Sequence, residues 1–231
     1  MKPFRFQQFS VAQSADVFRV GTDAVLLGAL ASVHGKTFLE VGCGTGIISL
    51  MLAQRNTQAK ITAIDINPEA VALAEKNFSE SPFFAGLHVE CSDFKTFKAH
   101  QFFDHIISNP PYFEPNTSEK DVVARQRTDL DFSELIQHSA VLLAPDGLFS
   151  VIIPAESASG FVSEAKRAGL HLARKIDIYG IAHGPLKRHI LEFSPTNQQP
   201  AVSETFIIEK SPRKYSDQYL ESTRAFHVFK K

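Results

Sequence analysis

The tetrapeptide Asn109-Pro110-Pro111-Tyr112 follows the largely apolar run 102–108, which reads as a buried strand. The tetrapeptide therefore lies past the carboxyl end of a strand, the edge where ligands bind in open parallel α/β sheets. Each proline has a fixed φ and no N–H, and a residue before proline is pushed toward extended backbone. The turn is thus stiff and offers hydrogen-bond acceptors, which predicts that it holds a planar exocyclic amine.

The acceptors of this turn suit N6 of adenine, whose lone pair is delocalised into the ring. The Asn109 side-chain oxygen and the Pro110 carbonyl can each accept one N–H bond, which draws the nitrogen toward tetrahedral geometry. When this nitrogen is presented to an electrophile, catalysis comes from positioning and from electrostatic stabilisation. No strong base is needed early, because the N6 proton becomes acidic only after the bond between N6 and the electrophile has formed. The Tyr112 ring can stack on the base, which is worth roughly 1–3 kcal/mol.

A glycine-rich turn occurs earlier in the chain, in the segment Glu40-Val41-Gly42-Cys43-Gly44-Thr45-Gly46. It follows a predicted strand, 37–41, and opens a predicted helix, 46–54. Glycines at these positions permit a tight turn and a close approach of the backbone to a ligand. The spacing departs from the dinucleotide fingerprint G-x-G-x-x-G. A turn of this kind also occurs without a ligand, so its meaning depends on the residues around it.

Two acidic residues end the next two predicted strands. Asp65 can accept hydrogen bonds from two ribose hydroxyls, or it can cap the helix that starts at Pro68. Asp93 can accept from an adenine amino group with Phe94 beside the ring, or it can be a simple turn residue. With the glycine turn, these residues predict a cofactor that carries a nucleoside without a pyrophosphate. S-adenosylmethionine fits this description, with its amino-acid end near Glu40 and the glycines Gly42, Gly44 and Gly46.

Strands alternate with helices along most of the chain, which predicts an α/β fold with a mainly parallel, doubly wound sheet. Predicted strands cover 37–41, 60–64, 87–90, 102–108, 148–153, 171–178, 189–193 and 205–209. Predicted helices cover 46–54, 68–78, 132–143 and 155–168, and an earlier helix begins near Thr22-Asp23, either of which can cap it, and runs to residue 33. The end of the chain is poor in helices, which predicts an antiparallel hairpin at one edge of the sheet. Residues 114–130 are polar and are predicted to form a loop.

Composition limits the class of protein. The chain has 231 residues, of which 44% are hydrophobic, enough for one sizeable core. With only two cysteines, no signal-like start and no apolar span of about 18 residues, we expect a cytoplasmic protein without a membrane segment. Scattered histidines lack metal-ligand spacing, so no metal is expected. Residues 163–231 carry 12 Lys/Arg against 7 Asp/Glu, which allows contact with an anionic macromolecule.

The order of the glycine turn, Asp65, Asp93 and Asn109-Pro110-Pro111-Tyr112 resembles the class I S-adenosylmethionine-dependent methyltransferases of the amino-methylating branch. The segments 4–9, 19–29 and 214–220 are similar to the bacterial subfamily that methylates N6 of adenosine 37 in valine tRNA.

This resemblance implies a Rossmann-like fold with a seven-stranded sheet and an antiparallel edge strand. It also implies a single domain over 1–231, in which residues 1–35, including Thr22 and Asp23, cover the cofactor and substrate. The implied partner is tRNA, with no metal and no obligate protein partner.

Three alternatives remain at this stage. Release-factor glutamine methyltransferases use the same tetrapeptide, because the lone pair of a glutamine amide nitrogen is delocalised as that of adenine N6 is. They usually carry a helical domain ahead of the catalytic one. Guanine-N2 enzymes of rRNA and adenine enzymes of DNA also share it. The third is a nucleoside-binding module without chemistry, against which the intact Asn109 and Tyr112 argue. Arg125 and Arg127, in the loop after the tetrapeptide, can contact phosphate or simply be solvated.

Overall fold

The computed structural model describes residues 1–111, 130–197 and 200–228. Within these residues nine strands form one mixed sheet: β3 (Thr37–Val41), β4 (Lys60–Asp65), β5 (Leu87–Cys91), β6 (Phe103–Ser108), β7 (Leu143–Pro154), β8 (His171–Ile181), β9 (Leu186–Ser194), β10 (Val202–Ser211) and β11 (Lys214–Tyr215). Their spatial order is β11-β10-β8-β9-β7-β6-β3-β4-β5. A separate hairpin precedes the sheet and consists of β1 (Phe4–Arg5) and β2 (Ser10–Val11).

Helices cover both faces of the sheet, as the alternation of elements predicts. They are α1 (Thr22–Leu30), α2 (Ile47–Arg55), α3 (Pro68–Ser79), α4 (Phe132–Leu142), α5 (Ala158–Arg167) and α6 (Asp217–Thr223). Adjacent strand residues such as Ile106 and Ile107 belong to different hydrophobic clusters, because successive side chains of a strand point to opposite faces. Residues of α1, α2, α3 and α6 line one cluster, and residues of α4 and α5 line the other. The doubly wound α/β class is therefore confirmed.

The predicted strand count is wrong, whereas the predicted antiparallel edge strand is present, because β11 lies at the edge of the sheet and pairs antiparallel with β10. The sheet has nine strands in the described residues rather than seven, because β10 and β11 extend it beyond β8. The strand predicted over 189–193, β9, is a second antiparallel strand and lies inside the sheet between β7 and β8 rather than at its edge. The short turn after β8 requires β9 to run antiparallel to β8. The other side of β9 pairs with β7, so β9 lies inside the sheet. The sequence pattern does not specify whether this strand lies inside the sheet or at its edge.

Local sequence explains most element ends. Pro68 is the first residue of α3, as predicted, and Asn67 rather than Asp65 caps this helix through its side chain. Gly169 follows α5 with φ 82°, the left-handed conformation expected after a helix end. By contrast, neither Thr22 nor Asp23 caps α1, because Gly21 occupies the N-cap position and no side chain caps the helix. β7 begins at Leu143, five residues before the predicted start, with a register shift around 145–147.

The N-terminal residues pack against the end of the chain. Phe6 and Phe9 are buried in the first cluster, and the Gln7 backbone N–H donates a 2.8 Å hydrogen bond to the Phe226 carbonyl. Further along, Asn77 of α3 holds the backbone of Ala12 through hydrogen bonds of 2.8 and 3.3 Å. The segment before α1 is thus attached to the body of the fold. No helix in the described parts of the chain is long and apolar enough to cross a membrane.

Candidate functional site

The ends of four neighbouring parallel strands meet at one edge of the sheet. Val41 is the register partner of Ile64 in β4 and of Ser108 in β6, and Asp65 is the partner of Cys91 in β5. Residues that follow these positions therefore begin their loops at the same level. This register brings the glycine turn, Asp65, Asp93 and Asn109 to a single edge, as the sequence predicts.

The glycine turn adopts a conformation that side chains disfavour. Gly42, Gly44 and Gly46 all have positive φ, of 72°, 53° and 75°. The N–H groups of Gly42 and Cys43 donate to the Ile64 carbonyl at 2.9 and 3.0 Å. A Cβ on Gly46 would lie 2.5 Å from Cε1 of Phe78, so α2 can approach α3 only because this residue is glycine. The turn is rigid and its backbone is open to a ligand.

Asp65 joins the glycine turn to the start of α3. Its Oδ2 accepts a 2.8 Å hydrogen bond from the Gly44 N–H, and its Oδ1 accepts one of 2.9 Å from the Asn67 N–H. Burial raises the pKa of this carboxyl, and the bonds from Asn67 and Gly44 oppose the rise. These two hydrogen bonds hold the carboxylate in place. Each of its oxygens can still accept a further hydrogen bond from a ligand.

Glu40 is a buried carboxylate beneath the glycine turn. The side chain is 1% exposed, and its Oε2 accepts hydrogen bonds from the backbone N–H and the hydroxyl of Ser49. Oε1 has no hydrogen-bond partner among the described residues. Burial raises the pKa of Glu40 to about 8, with the bonds from Ser49 opposing the rise and the charge of Asp65 adding to it. An unpartnered buried carboxylate oxygen at this place suits a cationic ligand group.

Asn109 carries a second unpartnered acceptor at the same edge. Its Oδ1 is buried and has no hydrogen-bond partner in the described part of the chain. The preceding residue, Ser108, donates a 2.9 Å hydrogen bond from its hydroxyl to the Val41 carbonyl, so the end of β6 is tied to the end of β3. Pro110 is buried and Pro111 is half-buried. Tyr112, together with Arg125 and Arg127, lies outside the described residues.

The turn after β5 is built around Asp93. Its Oδ1 accepts a 2.9 Å hydrogen bond from the Lys95 N–H, and its carbonyl accepts one of 3.0 Å from the Thr96 N–H. Phe94 is 4% exposed and packs edge-on against His138 in the second cluster, with ring centroids 5.4 Å apart. The phenyl ring therefore anchors the Asp93 turn to the core, and its predicted contact with a base stays a prediction.

Ile66 follows Asp65 at the same edge and was not predicted as a site residue. This side chain is 43% exposed, although its neighbours Ile64 and Ala63 are buried. The sequence does carry a signal for Ile66. A large apolar residue stands there between an acidic residue and the Asn67-Pro68 helix start. The side chain offers an apolar surface for a flat ring.

Thr22 and Asp23 begin α1. Thr22 is exposed, and Oδ2 of half-buried Asp23 accepts a 3.0 Å hydrogen bond from Nε of Arg188 in β9. Upstream, the Val17 side chain lies 4.0 Å from where a Cβ on Gly44 would stand. The N-terminal segment therefore reaches the glycine turn through Val17, and α1 is anchored to the sheet through Asp23.

Comparison with known proteins assigns the family. The family model described as the methyltransferase small domain matches residues 5–161. The chain belongs to the methyltransferase small domain family. This methyltransferase is 52% identical over 99% of its length to a protein of a Flavobacteriaceae bacterium (strain 3519-10), all of which is covered, and 40% identical to one of Phocaeicola vulgatus, with 97% of both chains covered. Both relatives are named tRNA1(Val) (adenine(37)-N6)-methyltransferase.

A solved structure confirms the fold of this methyltransferase. A predicted O-methyltransferase from Agrobacterium tumefaciens aligns with a TM-score of 0.68 at 18% identity, over 88% of this chain and 96% of that one. At that level of identity the likeness concerns the Rossmann-like architecture alone. In the described residues of the methyltransferase, no group of three or more His, Cys, Asp or Glu side chains is placed to hold a metal ion.

Proposed function

We propose that this methyltransferase transfers a methyl group from S-adenosylmethionine to N6 of an adenosine in tRNA, with adenosine 37 of valine tRNA as the target. The observation that carries the proposal is Oδ1 of Asn109 at the strand edge, which is buried and has no hydrogen-bond partner among residues 1–111, 130–197 and 200–228. A buried acceptor without a partner is costly, so its retention beside a stiff Pro-Pro turn supports a role in accepting a bond from a substrate.

The cofactor site is assigned to residues at the carboxyl ends of β3, β4 and β5. Oε1 of Glu40, which has no hydrogen-bond partner within the described parts of the chain, accepts a hydrogen bond from the α-ammonium group of the cofactor. Asp65 accepts from the ribose hydroxyls and Asp93 from the adenine amino group. Exposed Ile66 supplies an apolar face for the adenine ring, and Gly42, Gly44 and Gly46 keep side chains out of the methionine path. When bound, S-adenosylmethionine supplies an electrophilic methyl group.

The residues after β6 position the target amine. The Asn109 side-chain oxygen and the Pro110 carbonyl each accept one N6–H bond, which fixes the direction of the nitrogen lone pair. Because Pro110 and Pro111 have no N–H, the turn presents acceptors only. The rigid turn contributes positioning and electrostatic stabilisation without a general base. Stacking of Tyr112 on the adenine remains a prediction from the sequence, and the base must leave its stack to reach the turn.

The substrate assignment rests on the names of the two relatives, of which this chain covers 100% and 97%, and on the excess of basic residues in 163–231. A cytoplasmic location follows from a tRNA substrate. Residues 1–35 cover the cofactor and substrate within one domain of 231 residues, with Val17 near Gly44 and Asp23 attached to Arg188.

Nucleoside mass spectrometry on tRNA from cells with and without the gene tests the proposal. We expect N6-methyladenosine to disappear from position 37 of valine tRNA alone. In parallel, purified protein is incubated with labelled cofactor and separate samples of tRNA, rRNA, DNA and release factor. Label that appears in rRNA, DNA or a glutamine of release factor, and not in tRNA, would replace the tRNA assignment with the corresponding alternative. Cofactor binding without transfer to any of them would indicate a binding module.

A further inference from the structure

Two exposed residues at the sheet edge have a backbone conformation that favours glycine. His183 has φ 62° and Arg213 has φ 63°, and they are the non-glycine residues with positive φ in the described part of the chain. Each lies in a hairpin turn: His183 between β8 and β9, and Arg213 after Pro212 between β10 and β11. Glycine or asparagine would adopt these conformations at lower cost. An outlier of this kind points to a use for the side chain itself.

The two turns are neighbours on the edge that carries the candidate site. The Ala182 N–H donates a 3.1 Å hydrogen bond to the Glu209 carbonyl, which joins the first turn to the end of β10. β8 and β10 run parallel to each other and in the same direction as β6, so both turns lie at the carboxyl edge with Asn109. With strands about 4.8 Å apart, the first turn lies roughly 10–14 Å and the second roughly 19–24 Å from β6 along that edge.

These turns carry unneutralised positive charge. Lys187, Arg213 and Lys214 are exposed, and within the described residues no carboxylate lies within ion-pair distance of them. Lys210 is paired with Asp217 at 3.0 Å. A Glu209 carboxylate oxygen accepts a 3.1 Å hydrogen bond from the backbone N–H of Arg213, which holds the turn rather than the guanidinium group. The Arg213 side chain is thereby left directed to solvent on a fixed backbone.

We propose that the turns 182–187 and 210–214 form a basic platform that binds the phosphate backbone of the RNA while the target adenine reaches Asn109. Cations on rigid turns at a fixed distance from the reacting atoms bind phosphates and set the register of the RNA without reading its sequence. The platform lies in the part of the chain where Lys and Arg exceed Asp and Glu. The proposal rests on the proposed function in that its ligand is the RNA substrate.

The test is a double variant, Arg213→Asn with Lys214→Gln, in the full chain. Asparagine tolerates the left-handed backbone, so the variant removes charge without straining the turn. The matched control is Lys166→Gln with Arg167→Gln, which removes the same adjacent Lys/Arg pair from the exposed last turn of α5, at the opposite edge of the sheet. Thermal unfolding and cofactor titration of each variant establish that the fold and the cofactor site are intact.

Binding to valine tRNA transcript is measured between about 50 and 200 mM salt, and methyl transfer is measured on the same RNA. We expect the platform variant to bind roughly tenfold more weakly, with a salt slope smaller by about 2 and a kcat/KM for tRNA lowered by at least the same factor. Adding Lys187→Gln should lower the slope by about 1 more. An unchanged slope, or an equal loss in the control, would overturn the platform. Wild-type protein that binds tRNA but transfers no methyl group would instead overturn the proposed function.

Discussion

The backbone N–H of Gly44 donates a 2.8 Å hydrogen bond to Oδ2 of Asp65, so the turn after β3 and the end of β4 form one unit. The other carboxylate oxygen of Asp65 holds the Asn67 N–H at the start of α3. One carboxylate therefore sets the position of two loops that face the proposed cofactor. The same two hydrogen bonds fix the orientation of the carboxylate lone pairs that remain for a ligand.

Substitution of Asp65 tests the cofactor assignment. Asp65→Ala should weaken cofactor binding by at least about 2 kcal/mol, roughly 30-fold, because hydrogen bonds to a charged group are lost. Titration calorimetry measures the change. The matched control is Asp104→Ala, since Oδ2 of Asp104 also accepts two backbone N–H bonds, at 2.6 and 3.0 Å, but at the amino edge of the sheet. Asp104→Ala should lower stability and leave cofactor affinity intact; equal affinity losses in both variants would refute the ribose assignment.

Truncation of Asn109 tests the clamp on the target amine. Asn109→Ala should lower kcat by about 100-fold or more, because it removes an acceptor used mainly in the transition state. Cofactor affinity should persist, since the residues assigned to the cofactor are unchanged. Single-turnover methyl transfer and calorimetry on the same preparation separate the two effects. Turnover within a few-fold of wild type would show that Oδ1 of Asn109 does not hold the reacting nitrogen.

The buried carboxyl of Glu40 predicts proton release on cofactor binding. Below its raised pKa of about 8, the free protein holds this group protonated. A bound ammonium group favours the carboxylate and lowers its pKa, so binding between about pH 6.5 and 7.5 should release protons and tighten as the pH rises. Calorimetry in buffers of different ionisation enthalpy counts the protons. Glu40→Gln should release none, and proton release that persists in this variant would assign it to another group.

His105 predicts a loss of stability in acid. The imidazole is fully buried in the sheet, its Nε2 lies 2.7 Å from the Ser150 hydroxyl, and burial lowers its pKa to about 4. Above the unfolded pKa of about 6.5 both states are neutral and the group contributes nothing. As the pH falls from 6.5 to 4 the unfolded state binds the proton first, so the free energy of unfolding should decrease by on the order of 2–3 kcal/mol.

Denaturant unfolding of wild type and His105→Gln between those pH values measures this contribution as a difference in slope. His88→Gln, at an exposed position of β5, serves as the control and should retain the wild-type slope. A His105→Gln variant that loses stability with acid as steeply as wild type would show that another group is responsible.

Two glycines allow a paired test of backbone and space. Gly46→Ala should destabilise the protein by about 2 kcal/mol or more, because φ is 75° and a Cβ would collide with Phe78. Gly160→Ala should stabilise it by about 0.5–1 kcal/mol, because Gly160 lies inside α5 with open space around the Cβ position. Thermal and denaturant unfolding compare the two; a tolerant Gly46 would mean that the glycine turn is not constrained by α3.

Several features were determined by sequence alone because they depend on a few neighbouring residues. The stiffness of Asn109-Pro110-Pro111, the positive φ values of the glycine turn and the Asn67-Pro68 helix start follow from local backbone chemistry. The order of strand ends then predicts which loops meet at the carboxyl edge of a parallel sheet, and the register of β3, β4 and β6 bears this out.

Other features were decided only by the tertiary structure, because burial and pairing depend on residues far apart in the chain. The insertion of β9 between β7 and β8, the ion pair of Asp23 with Arg188 and the burial of Phe94 each require a partner that no local pattern identifies. The same holds for the buried oxygens of Glu40 and Asn109 that have no hydrogen-bond partner in the part of the chain that the structure describes. The sequence identifies polar groups that can bind a ligand, whereas only the packed fold determines which of their atoms are left without a partner.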